Sequence, residues 1–160
     1  MSPAKQDTVV QIAKKFEGIE IGPAKLEKLV KAVCKRFGPS KATVSIAIVG
    51  DAEFREINKR FLNRRTTSDC LSFDLSEDEE PGAAKLFELV VNGEMAVRQA
   101  ELRGHSGEAE LALYVTHGLL HNLGFDDSTK EQGQKMHDTE DEILQQFGYG
   151  LVYNKGTKKN

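Results

Sequence analysis

The chain has 160 residues, 39% of them hydrophobic and 29% charged, with a formal net charge of -3. That length suits one domain with a core able to fold without staples, and the charge argues against a protein that coats nucleic acid by bulk electrostatics. No apolar run approaches the roughly 20 residues of a membrane-spanning helix, and the opening MSPAKQDTVVQIAKKFEGIE lacks the features of a secretory leader, so a cytoplasmic setting is expected.

In chain order, GPAKLEKLVKAVCKRFG places Leu26, Leu29, Val30, Val33, Cys34 and Phe37 at three- and four-residue steps, which predicts an amphipathic helix ending at Gly38. ATVSIAIVG alternates Val44, Ile46 and Ile48 with smaller residues and reads as a strand. DAEFREINKRFLN opens on Asp51, a suitable cap, and carries Phe54, Ile57 and Phe61 on one side of a helix. It runs into NKRFLNRR, where Lys59, Arg60, Arg64 and Arg65 form a basic patch or simply a solvated helix end. SDCLSFDL and the β-branched run FELVVNGEMAV, broken at Asn92 and Gly93, are strand candidates, separated by the acidic, turn-rich loop SEDEEPGAAK. SGEAELALYVTHGLLHNLGF and STKEQGQKMHDTEDEILQQFG read as two further helices, the second capped at Ser128. The tail NKGTKKN, residues 154–160, is polar. With no repeat and no long linker, the expectation is a single domain over 1–160, α+β or open α/β in class, with its core at about 20–150 and a small sheet packed with helices. Cys34 and Cys70 lie far apart in no metal-ligand spacing and read as reduced thiols.

The segment HGLLHNLGFDD carries the chemistry. On a helix, residues four apart project from the same side, so His117 and His121 can aim their imidazoles at one point. Two ligands do not make a catalytic zinc site, which wants three protein ligands and an open position. Gly124 is placed to end the helix and turn the chain back, which can swing Asp127 toward the same point. Asp126 is its competitor, either ligating instead or orienting a histidine. His105 and His137 sit in polar surroundings without such spacing, and solvent exposure accounts for both.

HGLLHNLGFDD resembles the signature of the YbeY endoribonucleases, His-Gly-x-Leu-His-Leu-x-Gly-Tyr-Asp-His, with His117, Gly118, Leu120, His121, Gly124 and Asp126 in register. INKRFLNRRTTSDCLSF, NGEMAV and KMHDTEDEILQQFGY are similar to further segments of that family, so the resemblance spans roughly residues 40–150. It implies a compact α+β domain with a mixed sheet, a metal helix and a cleft beside it. It also implies metal-assisted cleavage of single-stranded RNA in rRNA maturation and ribosome quality control, with rRNA precursor and ribosome or ribosomal proteins as partners and no DNA. The family's three zinc-ligating histidines fall on His117, His121 and Asp127, the first two also being the implied catalytic residues. Asp127 adds negative charge and should leave the metal a weaker Lewis acid. The family's functional arginine falls on Leu62, so Arg60, Arg64 and Arg65 become the candidates for contact with the RNA backbone.

Two alternatives stay open. HxxxH recurs in zinc proteases, although Gly118 stands where their general-base glutamate follows the first histidine. A ribosome-assembly or RNA-binding factor with a structural or degenerate metal site also accommodates Asp127 and Leu62. Two histidines and a carboxylate suit iron or nickel as well as zinc.

Overall fold

The alternation of Val44, Ile46 and Ile48 builds the middle of a four-stranded sheet. In the computed structural model, which describes residues 7–62, 70–77, 80 and 82–150, strand β2 (Lys41–Val49) lies between β1 (Asp7–Lys14) and β4 (Lys85–Asn92) and is parallel to both. Strand β3 (Cys70–Asp74) pairs antiparallel with β4 at the edge, giving the mixed order β1-β2-β4-β3. The register sets Val44 beside Val10 and Phe87, and Ile46 beside Ile12 and Leu89. These residues share one face, and helices α1 (Pro23–Phe37) and α4 (Gly107–Asn122) bury it with Leu29, Val30, Leu119 and Leu120. On the other face Val49, Leu71 and Val90 meet Phe54 of α2 (Asp51–Leu62), while Phe61, at the end of the same helix, is exposed. Helices α3 (Gly93–Arg103) and α5 (Lys130–Gln146) complete a single α+β domain of the expected class. Among the described residues no helix is long and apolar enough to cross a membrane.

Four local expectations differ from the structure. Residues 7–14 form a strand the sequence does not advertise, because an edge strand with Val9, Gln11 and Ala13 exposed needs little apolar patterning. The run FELVVNGEMAV is half strand and half helix. Asn92 ends β4 and caps α3, its Oδ1 accepting from the Met95 N–H at 3.0 Å, and Gly93 fits because a Cβ there would stand 2.8 Å from Ile48 Cγ2. Asp51 is the first residue of α2 rather than a cap before it. Its carboxylate instead reaches across to α3, accepting from Asn92 Nδ2 at 3.0 Å and from Arg98 Nη1 at 2.6 Å. In the last helix the cap is Thr129, one residue past Ser128, in a reciprocal capping box with Gln132.

Helix α4 is buried along Ala109–Thr116 and again at Gly118–Leu120, the pattern of a helix enclosed on all sides. Gly118 is what lets β3 lie against it. A Cβ at that position would stand 2.6 Å from Cys70 Sγ and 2.9 Å from Ser72 Oγ, and the Ser72 hydroxyl donates to the Gly118 carbonyl at 3.0 Å.

Gly118→Ala should therefore lower unfolding free energy in urea titrations by about 1–3 kcal/mol, despite the roughly 1 kcal/mol helix preference of alanine. A gain in stability would mean that β3 is not held this close. The Arg98 guanidinium holds the Asp51 carboxyl below the usual carboxylate range. A group whose folded pKa is depressed stabilises above its unfolded pKa and loses that contribution as pH falls through the folded value. The stability advantage of wild type over Asp51→Asn should accordingly be full at neutral pH and shrink below about pH 4; an advantage independent of pH would contradict this.

Candidate metal centre

The last turn of α4 presents its two histidines at the point where the helix leaves the core. His117 Nε2 and His121 Nε2 stand 3.1 Å apart, with the rings nearly perpendicular. Leu123 closes the helix, Gly124 takes a positive φ of 102°, and the Phe125 N–H returns to the Leu120 carbonyl at 2.9 Å. This reversal brings Asp127 Oδ2 to 3.7 Å from His121 Nε2 and 4.0 Å from His117 Nε2. One ligand atom from each of the three residues falls within a 4.8 Å cluster. The competitor is turned away: both oxygens of Asp126 engage Ser128, at its N–H (3.1 Å) and its hydroxyl (3.0 Å), and these bonds lower the Asp126 pKa.

The hydrogen bonds on the far sides of the rings settle which nitrogens are bare. A carbonyl oxygen only accepts, so the bond from His121 Nδ1 to the Phe125 carbonyl at 3.2 Å puts the proton on Nδ1. His117 Nδ1 faces Glu140 Oε2 at 2.5 Å, which holds its proton the same way. In their neutral forms both rings then offer an Nε2 lone pair toward the same point. Two imidazole nitrogens on one tetrahedral zinc stand roughly 3.4 Å apart, and the observed 3.1 Å is close to that. The donor set fits a divalent transition metal, with the open side leaving room for a further ligand.

The sequence reading of the other two histidines needs correcting. His137 is not a free surface residue: its Nδ1 lies 2.9 Å from Glu140 Oε1, so Glu140 carries one imidazole on each oxygen. His105 has a side chain only 6% exposed, with Nε2 2.5 Å from Glu110 Oε1, while Arg103 Nη1 donates to Glu110 Oε2 at 3.2 Å. Polar neighbours in sequence suggested solvent, whereas in the fold buried carboxylates recruit both rings. Glu140 has a signal in the sequence as well: it falls on the same stripe of α5 as Met136, Ile143 and Leu144, a charge on an apolar face. A cavity of about 230 Å³ between α3, α4 and α5 borders both His117 and His137.

The basic patch is only partly visible. Arg60 is exposed at the end of α2, 3.9 Å from Glu56 and over the ring of Phe61. Arg64 and Arg65 lie outside the described residues, as does the side chain of Leu62.

Fold and site together define a small α+β protein with a two-histidine, one-carboxylate centre at the exposed end of a buried helix. The chain belongs to the YbeY family, described as Endoribonuclease YbeY, which matches residues 11–148. A relative from Bacillus velezensis named Endoribonuclease YbeY is 34% identical over 77% of this chain and 84% of its own length. Another of that name, from Aquifex aeolicus, is 30% identical over 88% of this chain and 94% of its own. The solution structure of TM1509 from Thermotoga maritima shares the fold, with a TM-score of 0.57 over 87% of this chain and 91% of that one at 24% identity.

Proposed function

We propose that this protein is a zinc-dependent endoribonuclease that cuts single-stranded RNA during rRNA maturation and ribosome quality control in the cytoplasm, in contact with the ribosome or its proteins. The observation that carries the metal part is the pair of Nε2 atoms 3.1 Å apart, with Asp127 folded back toward them. The family membership carries the RNA part.

His117 and His121 would hold the ion through Nε2, and Asp127 would supply a third, anionic ligand. Zinc bound there would polarise a phosphate oxygen or acidify a water, the chemistry that phosphodiester cleavage requires. The negative charge of Asp127 moderates that Lewis acidity relative to three imidazoles. Arg60, at the solvent end of α2, is available to pair with a phosphate and position the strand without reading its bases, and Arg64 and Arg65 are assigned the same role from the sequence.

A protease is disfavoured by the packing at Gly118, where β3 leaves no space for the glutamate that would act as general base. A second reading, an RNA-binding assembly factor with a structural metal site, draws on Asp127 and on Leu62, which stand where the resemblance expects a histidine and an arginine.

Protein purified without a metal-affinity step should contain one zinc per chain by inductively coupled plasma mass spectrometry. Asp127→Ala should lose that zinc and Asp126→Ala retain it; the reverse pattern would exchange the roles of the two aspartates. With a single-stranded RNA substrate, His117→Ala should reduce the cleavage rate at least about 100-fold, since the lost metal chemistry is worth several kcal/mol. Undiminished cleavage would sink the hydrolase reading. RNA affinity that survives chelation while wild type never cleaves would establish the binding factor in its place.

A further inference from the structure

Glu140 has a fully buried side chain. Burying a carboxylate costs free energy that an apolar residue of similar size would not incur, unless each oxygen is engaged. The core around it does not need a charge, since Met136, Ile143 and Leu144 fill the same stripe of α5 with apolar side chains. Both oxygens are nevertheless taken up by imidazoles, Oε2 by His117 Nδ1 at 2.5 Å and Oε1 by His137 Nδ1 at 2.9 Å. Among the described residues the other buried glutamate is Glu110, and its oxygens are taken up by Arg103 and His105 instead.

We propose that Glu140 is the positioning residue of the metal centre and that His137 is its anchor. This rests on the metal reading above. A neutral imidazole carries one N–H. A carboxylate in front of Nδ1 keeps the proton there, leaves Nε2 bare toward His121 and Asp127, and makes the ring a stronger donor. His121 gets the same tautomer from a neutral carbonyl, so the electrostatic contribution falls on His117 alone. By occupying Oε1, His137 fixes the plane of the carboxylate and with it the direction in which His117 points. It reaches the buried acid from the cavity between α3, α4 and α5.

Glu140→Gln keeps the shape and exchanges one oxygen for a donor. If the amide NH2 faces His117, Nδ1 must give up its proton to Nε2, where the metal would bind. If the amide faces His137, a neutral oxygen replaces the charged one at His117. In either orientation His117 becomes a poorer ligand.

The test is zinc affinity by competition against a chromophoric chelator, with thermal unfolding of the metal-free protein measured beside it. Glu140→Gln should weaken zinc binding about 10- to 100-fold, and His137→Phe about tenfold. Leu144→Ala, on the same helix and fully buried, should lower the unfolding temperature and leave zinc affinity unchanged. Three results would overturn the inference: Glu140→Gln binding zinc as tightly as wild type, Leu144→Ala losing as much affinity as Glu140→Gln, or unchanged affinity in His137→Phe, which decides the matter if Glu140→Gln does not fold. Zinc binding by wild type and none by His117→Ala, with Glu140→Gln unaltered, would remove this inference alone. Absence of zinc binding by wild type would remove the metal reading and this inference together.

Discussion

A helix that is apolar on every side can exist in water only if other elements surround it, and α4 imposes that requirement on this protein. The sheet lies beneath it, α1, α3 and α5 close around it, and β3 approaches near enough that Gly118 cannot carry a side chain without a shift. In the last turns of α4, His117 and His121 stand only partly buried, while Gly118, Leu119 and Leu120 between them stay inside. The same constraint that builds the core thus places two histidines at its boundary, dry on one side and open on the other. Metal sites use such surroundings, because an apolar backing holds ligand geometry and keeps the local dielectric low.

The buried acids follow from that arrangement. Glu110 at the start of α4 and Glu140 on α5 are both almost wholly removed from water, and each carries two partners. Removing one partner of such a pair strands a charge in the interior, so these contacts constrain geometry more than they add stability. Glu110 ties α4 to the turn that precedes it. Glu140 ties α5 to the one ring in the centre that faces inward. The exposed pair Arg36–Glu142 contributes far less, since both side chains remain in solvent.

The turn after α4 decides which acid faces the two histidines. Gly124 permits the left-handed reversal, Asp126 is consumed by its own Ser128 turn, and Asp127 is the acid that remains. Two successive aspartates are therefore not interchangeable, although nothing in their chemistry separates them. An anionic third ligand in place of a histidine keeps a three-donor centre possible while shifting its electrostatics, which makes metal affinity and RNA cleavage separable questions for this chain.

Much of this was readable in the residues. The three- and four-residue steps of α1, the alternation in β2 and the apolar face of α4 at Leu111, Tyr114, Val115 and Leu119 follow from burial patterns that local spacing records faithfully. His117, His121, Gly124 and Asp127 declare a centre because helix periodicity and one turn suffice to bring them together. Other features depend on partners distant in the chain. The strand at 7–14 exists because β2 offers it hydrogen bonds, and Asp51 looks like a cap until Asn92 and Arg98 claim its carboxylate. His137 and Glu140 become part of the centre only when α5 packs against α4. Sequence alone determined which groups could bind a metal, because that is a matter of residue type and local period. The tertiary structure decided which nitrogen each ring presents, since a proton's position on imidazole depends on the acceptor that the fold places opposite it.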